Sequence, residues 1–144
     1  MRDQRGTHVA RIRGAESRRR WARMLAEHGL TPHHFGVLMT LDHLGTAHQR
    51  RLSELVGVDP RNAVPILDLL HQRGLIQRTS DPADRRRRAV RLTPTGQRML
   101  NELRQAADAV EHDMLKNLDD HQQAILHRLL LTLFEATIGQ GGWL

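Results

Sequence analysis

Four consecutive arginines, Arg85 to Arg88, follow Asp81-Pro82-Ala83-Asp84 in the stretch from Gln72 to Gly96. Guanidinium groups are permanently charged forks of five donors, suited to binding phosphate and guanine edges. Two short apolar-alternating runs flank the block, Leu75–Ser80 before it and Ala89–Thr93 after it. In the second run, Val90 and Leu92 alternate with Ala89 and Arg91, which puts the apolar pair on one face. The Asp-Pro-Ala-Asp segment between the runs has turn chemistry. The stretch therefore reads as a β-hairpin tipped with fixed positive charge. A solvated loop could carry the same residues, so the neighbouring elements decide what the charge is for.

Just upstream, Leu52, Leu55 and Val56 share one face of a short helix over Arg51–Val56, which Gly57 breaks. Asp59-Pro60 opens another helix with Val64, Ile66, Leu67 and Leu70 spaced for burial, ending at Gly74. Two short helices hinged by a three- to four-residue turn make a helix-turn-helix pattern. An ordinary αα-hairpin has the same spacing, and only the basic hairpin that follows separates the two readings.

The remaining elements frame this unit. Val9, Ile12, Glu16, Arg20 and Met24, with Trp21, Leu25 and His28 beside them, give a broken helical stripe that stops at Gly29 and is weakened at Gly14. Thr31-Pro32 then starts a helix with Phe35, Leu38, Met39 and Leu41 on its apolar side, ending at Gly45. Thr46 to Gln49 reads as a link. Thr93-Pro94 caps a helix whose seam, Leu100, Leu103, Ala107, Val110 and Met114, steps by 3, 4, 3 and 4. Asp119 or Asp120 opens the last helix, where Ile125, Leu126, Leu129, Leu130, Leu131, Leu133, Phe134 and Ile138 exceed one core-facing stripe. That excess implies a partner helix and hence a homodimer.

Charge is unevenly distributed along the 144 residues, whose net charge is +6. Residues 48–98 hold eleven arginines against five acids, residues 1–47 eight against four, and residues 99–144 three basic residues against seven acids. A basic middle suits an anionic partner, and a small aromatic complement (Trp21, Phe35, Phe134, Trp143) offers few stacking platforms for single strands. Duplex DNA fits better. Absence of cysteine excludes disulfides, thiolate zinc sites and cysteine redox sensing. No apolar run approaches the roughly 18 residues of a membrane span, and the charged N-terminus does not read as a signal peptide, so a cytoplasmic protein is expected. No nucleophile motif, phosphate loop or HExxH signature argues for an enzyme.

The order helix-turn-helix, hairpin, long helix resembles the MarR family of winged helix-turn-helix regulators. The resemblance rests on Leu30-Thr31 ahead of Phe35, Leu52-Ser53-Glu54-Leu55, Val58-Asp59, Leu70 through Gly74-Leu75-Ile76, Arg78, Asp81-Pro82, Asp84-Arg85-Arg86 and Leu92-Thr93-Pro94-Thr95-Gly96. It implies a mainly α fold with a small β-hairpin wing and a dimer built from the terminal helices. In that reading residues 1–30 belong to the dimerisation region and residues 31–97 form the DNA-binding unit. The helix-turn-helix lies at about 51–74, the wing at about 75–93, and residues 98–144 complete the dimer. Such a regulator, more often a repressor, binds a pseudopalindromic operator and has no cofactor.

Side chains near the start of the second helix of the pair would face base edges. Arg61 could bind guanine and Asn62 adenine, while Val64 and Pro65 could touch thymine methyls. Alternatively Asn62 only caps the helix, which would put Pro65 at its third position, where no helical donor is lost. Family members commonly carry small hydroxyl residues and a basic side chain here, so this Arg-Asn-Ala-Val-Pro run does not allow an operator sequence to be carried over. The resemblance places Arg85 or Arg86 in the minor groove with Asp84 holding the wing arginine. Arg87 and Arg88 then meet phosphates, and Arg50, Arg51, Arg73 and Arg78 are further candidates for phosphate.

Family members often release DNA when a small aromatic or phenolic effector enters the crevice between dimer region and winged lobe. By position that crevice would draw on Trp21, Leu25, His28, His34, Leu38, Val110 and Met114, which could equally be core and interface. His28, His33, His34, His43 and His112, with Glu27 and Glu111, allow a metal- or pH-responsive variant, although no ligand spacing fixes a metal geometry. A non-specific architectural DNA binder is the other reading.

Overall fold

Glycines and capping residues set where each helix of this chain stops and starts. The computed structural model describes the backbone of residues 4–138 and the side chains of residues 14–133. Val9, Ile12, Phe134 and Ile138, read from sequence as apolar, have side chains outside the described residues, as does all of Trp143. Among the described residues the chain forms α1 (Gln4–Glu27), α2 (Pro32–Leu44), β1 (Thr46–His48), α3 (Gln49–Val56), α4 (Pro60–Gln72), β2 (Ile76–Ser80), β3 (Arg88–Leu92), α5 (Pro94–Leu115) and α6 (Asp120–Ile138). The fold is mainly α with a small antiparallel sheet, as expected.

The corner between α1 and α2 shows how tightly these boundaries are made. Gly29 takes φ of 70°, a left-handed conformation that side chains resist. Thr31 is the N-cap of α2, and its N–H donates to Nδ1 of His34 at 2.9 Å. That acceptor role requires a neutral ring. Burial, then the nearby Arg73 and His33 charges, hold the His34 pKa below its ordinary value. Arg73, at the end of α4, donates from Nη1 to the carbonyls of His28 (2.8 Å) and Gly29 (3.3 Å). The end of α4 is thereby fastened to the end of α1 by Arg73.

The segment Thr46–His48, expected as a link, is a third strand. It pairs antiparallel with β3, Ala47 opposite Val90, so the sheet order is β1-β3-β2. A three-residue strand is too short to show a period of two, and its partner lies far along the chain. Pairing closes the wing's root against α3, which begins at Gln49, two residues before the expected start.

The core is one cluster. Leu25 of α1, Leu38 and Leu41 of α2, Leu52 of α3, Leu67 and Leu70 of α4, Leu75 with Ile76 and Val90 of the sheet, and Leu100 and Leu103 of α5 are almost wholly removed from solvent. Burying each such side chain stabilises the fold by roughly 1.5–3 kcal/mol before entropy is counted. Farther along α5 the seam opens: Ala107, Val110 and Met114 are half-buried. Here α1 and α5 are joined by Arg20 and Asp113 at 2.7 Å, and Arg20 also holds Glu16. Helix α6 starts with reciprocal bonds between Asp119 and Gln122. It leaves Leu129, Leu130, Leu131 and Leu133 exposed by 45–66%.

Candidate nucleic-acid interface

Helix α4 is aimed outward by what it buries. Ala63, Leu67 and Leu70 face the core, so Arg61, Asn62, Val64 and Pro65 face solvent. Gly57, at φ 72°, supplies the left-handed stop after α3, and Val58 N–H returns to Ser53 O at 3.0 Å to fix the turn. Asp59 then caps α4: its carboxylate accepts from Arg61 N–H at 2.8 Å, with Pro60 as the first helical residue. This excludes the capping role weighed for Asn62, which is the third residue of the helix. Pro60 prefers the first position and leaves the cap to the aspartate before it. Pro65 therefore lies inside the helix.

The wing loop is shaped by its two aspartates. Asp81 Oδ1 accepts from Ala83 N–H at 2.9 Å, and Asp84 Oδ1 accepts from Arg86 N–H at 3.0 Å. Backbone bonds Asp81 N–H to Arg87 O and Arg87 N–H to Asp84 O close the loop at 2.9 Å each. Asp84 thus orients the tip through the Arg86 backbone, and its only nearby guanidinium among the described residues is that of Arg87, at 3.9 Å. The expected hold of Asp84 on the side chain of Arg85 or Arg86 is not seen. Both of those side chains project with no partner among the described residues. Arg88 opens β3 opposite Ser80.

The wing and the helix-turn-helix face each other across one groove. His48, Gln49, Arg50, Arg51, Ser53, Glu54, Pro60, Arg86, Arg87 and Arg88 line an open cleft of about 870 Å³. Five arginines stand against a single acid. Arg50 and Arg51 lie 3.7 and 3.4 Å from Glu54, and both are well exposed. Exposed pairs of this kind are worth about 0–1 kcal/mol, so an incoming anion can break them cheaply. His48, Gln49, Ser53, Glu54 and Pro60 were not anticipated as site residues; His48 comes in at the end of β1 and Gln49 at the start of α3.

Arg78 departs from expectation. Its side chain is only 13% exposed and meets Asp68 of α4 at 2.7 Å. Placed on the inner side of β2, it ties the strand to the helix and has no free face for phosphate.

The residues expected to line an effector crevice do not form one site. Trp21, Val110 and Met114 share an open groove of about 630 Å³ between α1, α5 and α6, with Leu126, His127 and Leu130 on its far wall. Leu25 and Leu38 are fully buried core residues and cannot meet a ligand unless the core opens. His28 hydrogen-bonds the Met24 carbonyl at 2.9 Å, and His34 is held in the α2 cap. Leu25, Leu38, His28 and His34 are therefore structural in this conformation. No three histidine, aspartate or glutamate side chains among the described residues come together as a metal site. No described helix is long and apolar enough to cross a membrane.

Comparison with known proteins agrees with this geometry. The model of the MarR family matches residues 28–87. A protein assigned to transcriptional regulation of the hcr operon in Thauera aromatica is 30% identical over 129 residues, covering 90% of this chain and 78% of that one. A transcriptional regulator structure from Pseudomonas aeruginosa is similar at TM-score 0.68 and 32% identity, covering 91% and 97% of the two chains. The structure of a mutant MarR from E. coli, solved in complex with operator DNA, shares the fold at TM-score 0.67 and 23% identity, covering 88% and 91%.

Proposed function

The chain belongs to the MarR family of transcriptional regulators, and on that premise we propose that it acts as a homodimeric repressor that binds an inverted-repeat operator and releases it when a small ligand binds. The observation that carries this reading is the groove in which Arg86–Arg88 of the wing face Arg50 and Arg51 of α3, beside the exposed face of α4. A convex helix flanked by guanidinium groups matches a major groove between two phosphate ridges.

In this reading α4 enters the major groove. Arg61 presents a fork to guanine, Asn62 an amide to adenine, and Val64 an apolar contact to a thymine methyl. Arg85 and Arg86 enter the adjoining minor groove, where narrow A·T-rich segments concentrate negative potential. Arg87, Arg88, Arg50 and Arg51 neutralise phosphates. Residues 1–30 and 98–144 supply the dimer, covering the exposed leucines of α6, since an apolar patch of that kind marks an interaction surface. An aromatic or phenolic effector would take the Trp21–Val110–Met114 groove, where apolar walls meet polar residues on α6.

Selection from a random pool of duplexes tests the dimer and operator together. The recovered site is expected to be an inverted repeat with half-site centres about one helical turn apart; a non-palindromic site contradicts the dimer. On the recovered operator, Arg85→Ala or Arg86→Ala should weaken binding by about tenfold or more. Arg88→Ala should weaken it by about two- to threefold, as loss of one phosphate contact per protomer. Equal losses from all three would reduce the wing to an undifferentiated charge run.

A further inference from the structure

The middle of α4 holds a proline whose cost to the helix is not recovered by packing. Pro65 is exposed, so its ring does not fill the core, and a proline beyond the first turn removes a helical donor. The donor it lacks is the one that would bond the Arg61 carbonyl, four residues earlier. A proline ring inside a helix also crowds the carbonyl four residues earlier and disfavours its alignment with the helical ladder. Residues four apart share a helix face, and here both are exposed, whereas Ala63 and Leu67 face the core. The Arg61 carbonyl therefore lies on the exposed face shared by Arg61 and Pro65, beside the side chains of Asn62 and Val64. It is an acceptor without its helical partner, placed among the base-reading candidates.

The geometry points to the Arg61 carbonyl, freed by Pro65, as a reader of exocyclic amino groups in the major groove. The inference rests on the reading that α4 enters that groove. Adenine N6 and cytosine N4 are the donors a base pair shows there, while guanine and thymine show acceptors at the corresponding place. A lone carbonyl cannot tell adenine from cytosine, but it disfavours guanine and thymine, because two facing acceptors both stay unsatisfied. Its signature is thus a half-site position at which A or C is accepted and G or T is not. The neighbouring side chains leave different marks: arginine favours guanine, asparagine favours adenine, and an apolar ring favours the thymine methyl.

The test uses full-length protein and the operator selected from random duplexes, with each half-site position substituted in turn at fixed salt. Wild type is expected to bind A and C about tenfold more tightly than G or T at one position. Pro65→Ala and Pro65→Ser both return an N–H to the Arg61 carbonyl, and both should shrink that difference to less than about twofold while other positions keep their preferences. Unchanged discrimination in the two variants overturns the inference and leaves the DNA-binding reading standing. A preference for thymine alone, lost when uracil replaces it, assigns the contact to the ring and overturns the inference as well. Failure of wild type to select any site overturns both. Melting curves of the variants check the fold, which replacing a mid-helix proline is expected to strengthen.

Discussion

Raising salt from 50 to 200 mM is expected to weaken operator binding by about a thousandfold or more. Duplex DNA holds a condensed layer of counterions, and each phosphate neutralised by arginine releases part of it, so the logarithm of affinity falls by about 0.9 per phosphate for each decade of salt. In the proposed dimer each protomer would offer Arg50, Arg51, Arg87 and Arg88 around one groove or at its rim, with Arg85 and Arg86 at the wing tip. About six to ten phosphates engaged per dimer follow, enough for a loss of about 10³ to 10⁵ over that range. The internal pairs of Arg50 and Arg51 with Glu54 do not blunt the effect, because exposed pairs are themselves weak and screened. Titration by fluorescence anisotropy at several salt concentrations measures the slope. Removing Arg50 and Arg51 together should lower it by about two to four units per dimer, and a wild-type slope near one would contradict the assignment of these arginines to phosphate.

Gly96→Ala is expected to be the most damaging small substitution in the molecule. A Cβ at Gly96 would lie 1.9 Å from the carbonyl oxygen of Leu75 and 2.9 Å from its carbonyl carbon, both backbone atoms. That oxygen is already an acceptor for Thr93 N–H at 3.1 Å, and the Thr93 hydroxyl donates to the Gly74 carbonyl beside it. Thr93 also caps α5 by accepting from Gly96 N–H at 3.0 Å. The start of α5, the start of β2 and the end of β3 thus meet at a point with no room for a methyl group. Either α5 shifts or the wing's root does, at a cost of roughly 3 kcal/mol or more. Thermal melting should fall by on the order of 10 °C. Gly14→Ala is the contrasting control. Among the described residues nothing lies within 4 Å of a Cβ there, and replacing a helical glycine should raise stability by about 0.5–1 kcal/mol. A Gly96→Ala variant melting within a degree or two of wild type would mean that the close approach of α5 to Leu75 is not maintained in solution.

The parts of this fold that local chemistry determines could be read from the sequence. Thr31-Pro32, Asp59-Pro60 and Thr93-Pro94 announce three helix starts. The alternation around Val90 and the Asp-Pro turn announce the wing. Features that depend on contacts distant in sequence did not show. The strand β1 exists because Ala47 finds Val90, and Arg78 and Arg73 are taken up by Asp68 and by the end of α1. Composition cannot distinguish those arginines from the free ones at the wing tip. The position of Asn62 was ambiguous because two capping residues, Asp59 and Asn62, stood three apart. Only the helix itself chose, and in choosing Asp59 it moved Pro65 into the interior. The effector crevice was the least legible element. Residues near one another by element order, such as Leu38 and Met114, divide between a closed core and an open groove.

The proposed function requires the five-arginine groove and the face of α4 together to recognise a particular DNA sequence. Competition between the selected operator and a random duplex of equal length, at physiological salt, tests it most directly. The operator is expected to outcompete random duplex by about a thousandfold or more. Equal displacement by the two duplexes would contradict it, leaving a chain that holds DNA by charge alone.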